Sequence, residues 1–230
     1  MKIVRLAALA LCVLASACGG GGGGGGGGDG QSLVRSKSTA IRVIHAGIDA
    51  TPVSVVVGEG EERQVVQTAR YAQPRFYSSI PSGSLDLRVE RANTPGSVVK
   101  SFAGQFADQT EYTVALYGEL EGSGLRVALV EDTTVRPEPG MSLVNVFNGY
   151  IENGISVSVG SVTFPDLKFG SFGGFKDVAS GEAQVEVLRS DGVLLGSFLI
   201  ELPSAGEATI AVVGSRDLGV RFFPVYKDLD

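Results

Sequence analysis

The sequence predicts an all-β protein: two tandem β-sandwich domains behind a signal peptide and a poly-glycine tether. Three observations predict it. Apolar residues alternate with polar ones in runs such as Leu85-Asp86-Leu87-Arg88-Val89 and Val185-Glu186-Val187, the period of a strand with one buried face. The chain repeats itself at an offset near 100 residues, a length that suits a whole domain rather than a solenoid unit. Ten consecutive glycines, Gly19 to Gly28, separate an apolar leader from everything else.

Residues 1–17 read as a leader. Lys2 and Arg5 supply positive charge, and Leu6 to Ala17 is apolar. That run is too short to span a bilayer, which needs about 20 residues, and fits a secretory signal. Ala15, Ser16 and Ala17 lead into Cys18, which resembles the lipobox of bacterial lipoproteins. The resemblance implies that Cys18 is lipidated and becomes the new N-terminus. Ala15 stands where the lipobox usually has leucine, with Leu14 one step further out. Gly19 rather than aspartate follows the cysteine, which by the same resemblance implies the outer membrane. Stable anchoring takes more than one acyl chain, and a lipoprotein cysteine carries two or three. Residues 18–37 then form a tether. About 20 residues of glycine-rich linker reach on the order of 25 Å.

The first domain is expected over 38–132 and the second over 141–230, joined by a proline-containing linker at 133–140. Ile41 to Gly47 aligns with Leu143 to Gly149 at an offset of 102, which sets His45 opposite Phe147. Val53 to Val57 falls on Ile155 to Val159 at the same offset. Ile80 to Val89 falls on Val178 to Val187 at 98, and Glu111 to Gly118 on Glu207 to Gly214 at 96. The offset shrinks where turns are expected, as in one fold copied with loop deletions. Turn formers such as Pro81-Ser82-Gly83, Asn93-Thr94-Pro95-Gly96 and Ser190-Asp191-Gly192 separate the runs. About seven strands per copy suggest two sheets packed face to face. Phe164, Phe169, Phe172 and Phe175 lie in or beside a glycine-rich segment and are expected to tuck into the second core.

The segment Val43-Ile44-His45-Ala46-Gly47-Ile48-Asp49-Ala50-Thr51-Pro52-Val53-Ser54-Val55 resembles the opening motif of the domain-of-unknown-function 4397 family. Tyr77 to Val89 and Glu111 to Gly118 resemble its later segments. The resemblance covers 38–132 well and 141–228 more weakly. It implies an immunoglobulin-like or transthyretin-like sandwich in a secreted or surface bacterial protein, and no defined activity.

Composition narrows the function. Both cysteines, Cys12 and Cys18, lie in the first 18 residues, so the domains hold no disulfide and no thiolate metal site. One histidine excludes a multi-histidine metal centre. Without Lys2, Arg5 and Asp29, 17 basic and 24 acidic side chains remain, with no basic run for nucleic acid. No Gly-x-Ser-x-Gly elbow is present, no calcium loop and no cofactor signature. The expected function is therefore a non-enzymatic cell-envelope lipoprotein on the periplasmic or surface side of the outer membrane. Its two modules would bind envelope proteins or glycans, or serve structure. His45, with Asp49 four residues on, is the one pair that a hydrolase would use. The expected role of His45 is scaffold instead. Tyr71, Tyr77 and Tyr150 are the aromatic candidates for a carbohydrate platform. Tyr112 is placed for a tyrosine-corner hydrogen bond.

Overall fold

The computed structural model describes residues 38–49, 51–73, 76–120, 124–151 and 154–227. The leader, Cys18 and the glycine tether lie outside the described residues. Among the described residues sixteen strands follow in order, eight in each copy rather than about seven. The first copy contains β1 (Ser38–Gly47), β2 (Val53–Val57), β3 (Gln64–Ala69), β4 (Ser78–Pro81), β5 (Gly83–Arg91), β6 (Val98–Phe106), β7 (Glu111–Glu119) and β8 (Gly124–Glu131). They form two sheets, β4-β1-β7-β8 and β3-β2-β5-β6. The second copy contains β9 (Met141–Tyr150), β10 (Ile155–Val159), β11 (Val162–Leu167), β12 (Lys176–Ala179), β13 (Gly181–Arg189), β14 (Leu194–Leu202), β15 (Glu207–Ser215) and β16 (Gly219–Lys227). Its sheets, β12-β9-β15-β16 and β11-β10-β13-β14, repeat the first pair strand for strand. In each copy one pairing is parallel, β1 with β7 and β9 with β15.

Alternation builds the two cores. Leu87 and Val89 on β5 are fully buried, with Ile41, Val43, Val55 and Val114 from the facing strands. Their neighbour Asp86 is exposed. The second core repeats this with Val185, Val187, Val146, Val157 and Ile210. Tyr112 closes the first core at one end. Its ring meets Phe106 edge-on at 5.2 Å, and its hydroxyl accepts the Ala107 amide at 3.0 Å, the expected corner bond.

A third cluster lies between the copies. Strands β1 and β9 are buried on both faces, so they read as near-continuous apolar runs. The side chains that point away from each copy's own core meet one another: Ile44, Ala46 and Ala115 from the first sandwich, with Phe147, Ala211, Val213 and Phe223 from the second. The four sheets are thus layered, and β4-β1-β7-β8 packs on β12-β9-β15-β16. The approach is close at Ala46. A Cβ on Gly149 would stand 2.8 Å from the Ala46 Cβ.

Register corrects one alignment. Through β7 and β15, which match at 96, His45 pairs with Leu116 and Asn148 with Val212. Leu116 and Val212 are equivalents, so His45 corresponds to Asn148 and not to Phe147. The first strand is offset by 103, and the value of 102 begins only at β2, after the turn. Phe147 instead corresponds to Ile44, and both belong to the shared face.

The glycine-rich segment also departs from expectation. Phe164 is buried in the second core. Phe172 lies 4.8 Å from Phe147, and Phe169 meets the Tyr117 ring edge-on at 5.0 Å. These two rings cover the edge of the shared face rather than enter the second core. The segment runs along β9: Gly170 donates to the Asn148 carbonyl at 2.6 Å, and Gly173 to Val146 at 2.8 Å. Gly170 adopts φ +78° directly against the Tyr117 ring, where a Cβ would overlap it.

Candidate functional site

His45 lies at the end of β1 and is 2% exposed. Its Nδ1 accepts the Gly47 amide at 3.2 Å, and its Nε2 stands 3.1 Å from the Thr51 carbonyl. With Nδ1 accepting, the proton sits on Nε2 and is donated to Thr51. Burial holds the imidazole below its ordinary pKa, against smaller opposing effects of the Thr51 carbonyl and the Asp49 charge. The ring is therefore a neutral brace that folds the chain from β1 into the turn before β2. Asn148 in the second copy also binds the amide two residues on, but its other bond runs to the end of β11 instead of to the turn before β10. Its Oδ1 accepts the Tyr150 amide at 2.9 Å, and its Nδ2 donates to the Leu167 carbonyl at 2.8 Å. Imidazole and carboxamide each offer one acceptor and one donor at similar reach.

The structure brings some of the sequence candidates together and separates others. The Tyr71 ring meets His45 edge-on at 6.3 Å. Asp49 uses its carboxylate to accept the Leu120 amide at 2.6 Å. Tyr77 is half-buried elsewhere on the first sandwich, with its hydroxyl donating to Asp132 at 2.7 Å. Tyr150 is 2% exposed in the second core. The three tyrosines thus do not share one exposed surface.

Tyr77 leads to a feature that the sequence reading missed, a buried ionic cluster across the shared face. Arg42 on β1 is 1% exposed. Its Nε donates to Thr113 at 2.7 Å. Its Nη2 reaches Glu207 at 2.8 Å, Thr209 at 3.1 Å and Asp132 at 3.4 Å. Thr113 in turn donates to Asp132. Lys227 bridges Glu111 at 2.5 Å and the Thr133 carbonyl at 3.0 Å, with Glu207 at 3.9 Å. The Tyr77 ring lies 5.0 Å from the Arg42 guanidinium and 5.7 Å from the Lys227 ammonium. Arg42, Glu111 and Asp132 belong to the first copy, and Glu207, Thr209 and Lys227 to the second. Burial pushes the Glu207 carboxyl up to about 7, with the Asp132 charge adding to it while Arg42 and Lys227 oppose. The sequence signal was Arg42 itself, a lone cation inside an apolar strand.

A groove of about 730 Å³ opens on the first sandwich. Leu85, Asp86, Arg88 and Phe102 line its sheet side, and Glu59 and Glu62 its loop side. The loop is a short 3-10 turn, Gly60–Glu62, between β2 and β3. Arg88 holds it down by donating to the Glu59 carboxylate at 2.5 Å and to the Gly58 carbonyl. Gly58 sits at φ +74°, where a Cβ would strike the Glu62 carbonyl. Arg63 fixes the far end through Glu90 on β5 at 2.7 Å. Hydrogen bonds from Arg63 and the Gly96 amide hold the Glu90 carboxyl below its ordinary range.

A family model described as "Domain of unknown function (DUF4397)" matches residues 39–154, which is 116 of the 230 residues. No curated protein matches the chain at a significant level. Among solved structures, a family CBM26 module of Amy13K from Eubacterium rectale, in complex with maltoheptaose, is 10% identical with TM-score 0.25. The alignment covers 84% of this chain and 99% of that one. A candidate cell adhesion protein from Bacteroides uniformis is 8% identical with TM-score 0.23, covering 84% and 98%. A candidate adhesin from Bacteroides ovatus is 9% identical with TM-score 0.19, covering 84% and 95%.

Proposed function

The chain belongs to the domain-of-unknown-function 4397 family, and from that premise we propose that it is a non-enzymatic lipoprotein of the bacterial cell envelope. Cys18 carries the lipid, the glycine run provides reach, and the paired sandwiches act as one display module for envelope proteins or glycans. The observation that carries this reading is the shared face. Each copy spends one sheet on its partner, so β3-β2-β5-β6 and β11-β10-β13-β14 remain as the outward surfaces of a single body. Such a body offers two outward sheets on a fixed frame, where surface loops gain precision from a rigid scaffold. His45 supports the non-enzymatic side, because both ring nitrogens are engaged by the main chain and its equivalent in the second copy is an asparagine, Asn148.

The test is fractionation of cells that produce the Cys18→Ala chain. The wild-type chain is expected in the membrane fraction and the variant in the soluble fraction. Firm membrane association of the variant would defeat the lipid anchor.

A further inference from the structure

Each sheet has two edge strands, and an edge presents a row of main-chain N–H and C=O groups to any strand that comes beside it. Seven of these edges carry a feature that opposes such pairing. Strands β4 and β12 are four residues long. Arg126 lies on β8, Arg221 and Pro224 on β16, and Pro165 on β11. The register of β3 breaks in its middle. Lys100 on β6 stands opposite the buried Val89, so it lies on the core side of its sheet. The eighth edge, β14, has none of these. It is nine residues long, with no lysine, arginine or proline. Its register break falls at Leu195, beside the hairpin, and leaves Gly196 to Leu202 regular.

The two copies differ at this edge. Asp86 and Val89 of β5 correspond to Gln184 and Val187 of β13, through their neighbours' partners on β2 and β10. Asp86 pairs with Ala103 and Gln184 with Leu199; Val89 pairs with Lys100 and Val187 with Gly196. The first copy thus has lysine and alanine where the second has glycine and leucine. Leu199 is 58% exposed.

Hydrogen-bond parity shows which groups of β14 face outward. Gly160 donates to the Gln184 carbonyl, so Gln184 and Glu186 turn their main-chain groups to β10. Val185 and Ala183 turn theirs to β14, where they meet Phe198 and Ile200. The N–H and C=O groups of Ser197, Leu199 and Glu201 therefore point out of the open edge, and their side chains are exposed.

We propose that β14 is an interface for a second copy of this chain, paired antiparallel about a two-fold axis through Leu199. Only residues with outward main-chain groups can exchange hydrogen bonds, which sets Leu199 on Leu199 and Ser197 on Glu201 of the second copy. The register is self-complementary. Glu201, the strand's one charged residue, meets a hydroxyl and not its own copy. The Ser197 oxygen already accepts from Gln184, which leaves its proton to donate to that carboxylate. On the core side Phe198 falls opposite Ile200, an aromatic and β-branched pair of the kind that stabilises sheets. The proposal goes beyond the anchored-module reading and does not depend on it.

The experiment uses the full chain with Cys12→Ala and Cys18→Ala, in a mild detergent that covers the apolar leader. Sedimentation velocity is expected to show a concentration-dependent dimer. Leu199→Lys sets like charges opposite each other at the axis and should weaken the dimer at least tenfold. Ala103→Lys, at the corresponding place on β6, should leave it unchanged. A second measurement fixes the register. Leu199→Cys places two thiols across the axis with Cα atoms about 5.5 Å apart, within disulfide reach, and mild oxidation should link them. Ser197→Cys places its thiols four residues apart along the strands, about 14 Å, and should stay unlinked. A monomer throughout the micromolar range overturns the interface, as does an undiminished dimer in Leu199→Lys or an equal loss in Ala103→Lys. Equal cross-linking of the two cysteine variants overturns the register. None of these results bears on the lipid anchor, which the Cys18→Ala fractionation tests separately.

Discussion

At the residue scale the most informative position is His45. It is the residue that a search for catalysis would choose, and its environment explains why it does something else. The imidazole answers two main-chain groups at once, the Gly47 amide and the Thr51 carbonyl; Asn148 likewise takes the amide two residues on, Tyr150, and sends its other bond to the Leu167 carbonyl on β11. His45→Asn is therefore expected to keep most of the stability. His45→Phe would leave an amide and a carbonyl without partners in a buried turn, at about 2 kcal/mol. Urea denaturation checks this, and equal midpoints for the two variants would count against the brace. The sequence singled His45 out, but its counterpart in the second copy was misassigned. A one-residue difference in the β1–β2 turn hid behind the apolar run 143–149, in which Phe147 and Asn148 are adjacent. Only the pairing register with β15 separates a shared-face position from a turn-bracing one.

At the scale of elements, strand period made the individual sheets legible, because each has a face that alternates. What pattern alone could not supply was the partner of the second face of β1 and β9. A strand buried on both sides carries an unbroken apolar run, and such a run does not say what covers each side. The same limit misplaced Phe169 and Phe172. Their glycine-rich spacing signalled buried rings, and the choice between a core and an interface lies in tertiary contacts. Where the two strands cross, Gly149 is set by space. A side chain there would meet the Ala46 Cβ, the Phe147 ring and the Val212 carbonyl. Gly149→Val is expected to lower stability by about 2–3 kcal/mol through overpacking. The matching change at an exposed glycine such as Gly174, with φ +77° and open space around it, would act through backbone strain alone. If Gly149→Val unfolds at the wild-type urea concentration, the close approach of β1 and β9 is wrong.

At the scale of the whole molecule, the ionic cluster makes the two sandwiches one thermodynamic body. Arg42 contacts carboxylates from both copies, and all three side chains are within 2% of full burial. Removing the guanidinium leaves Asp132 and Glu207 facing each other without their shared cation, a loss on the order of 3–5 kcal/mol. The wild-type chain is expected to unfold in one calorimetric transition. Arg42→Ala should lower it and separate it into two, one for each sandwich, because the remaining links are the less buried Lys227–Glu111 pair and the apolar contact around Ala46 and Phe147. The cluster also sets a pH dependence. The Glu207 carboxyl is raised to about 7 in the folded chain, from an ordinary value of 4.5. Between those values the folded state holds a proton that the unfolded state releases. This contribution is fully present below about 4.5 and is lost as pH rises through about 7. The buried His45 acts in the opposite sense. Its lowered pKa means that its neutral form is favoured by folding, so its contribution is fully present above the ordinary histidine value of 6.5 and is lost as pH falls from there through the lower folded value. Melting temperature against pH should therefore decline on both sides of a maximum. Glu207→Gln should flatten the decline toward high pH and leave the acid side in place, and His45→Asn should do the reverse. A single transition that persists in Arg42→Ala, or an alkaline decline unchanged in Glu207→Gln, would show that the cluster around Arg42 and Glu207 does not couple the two copies.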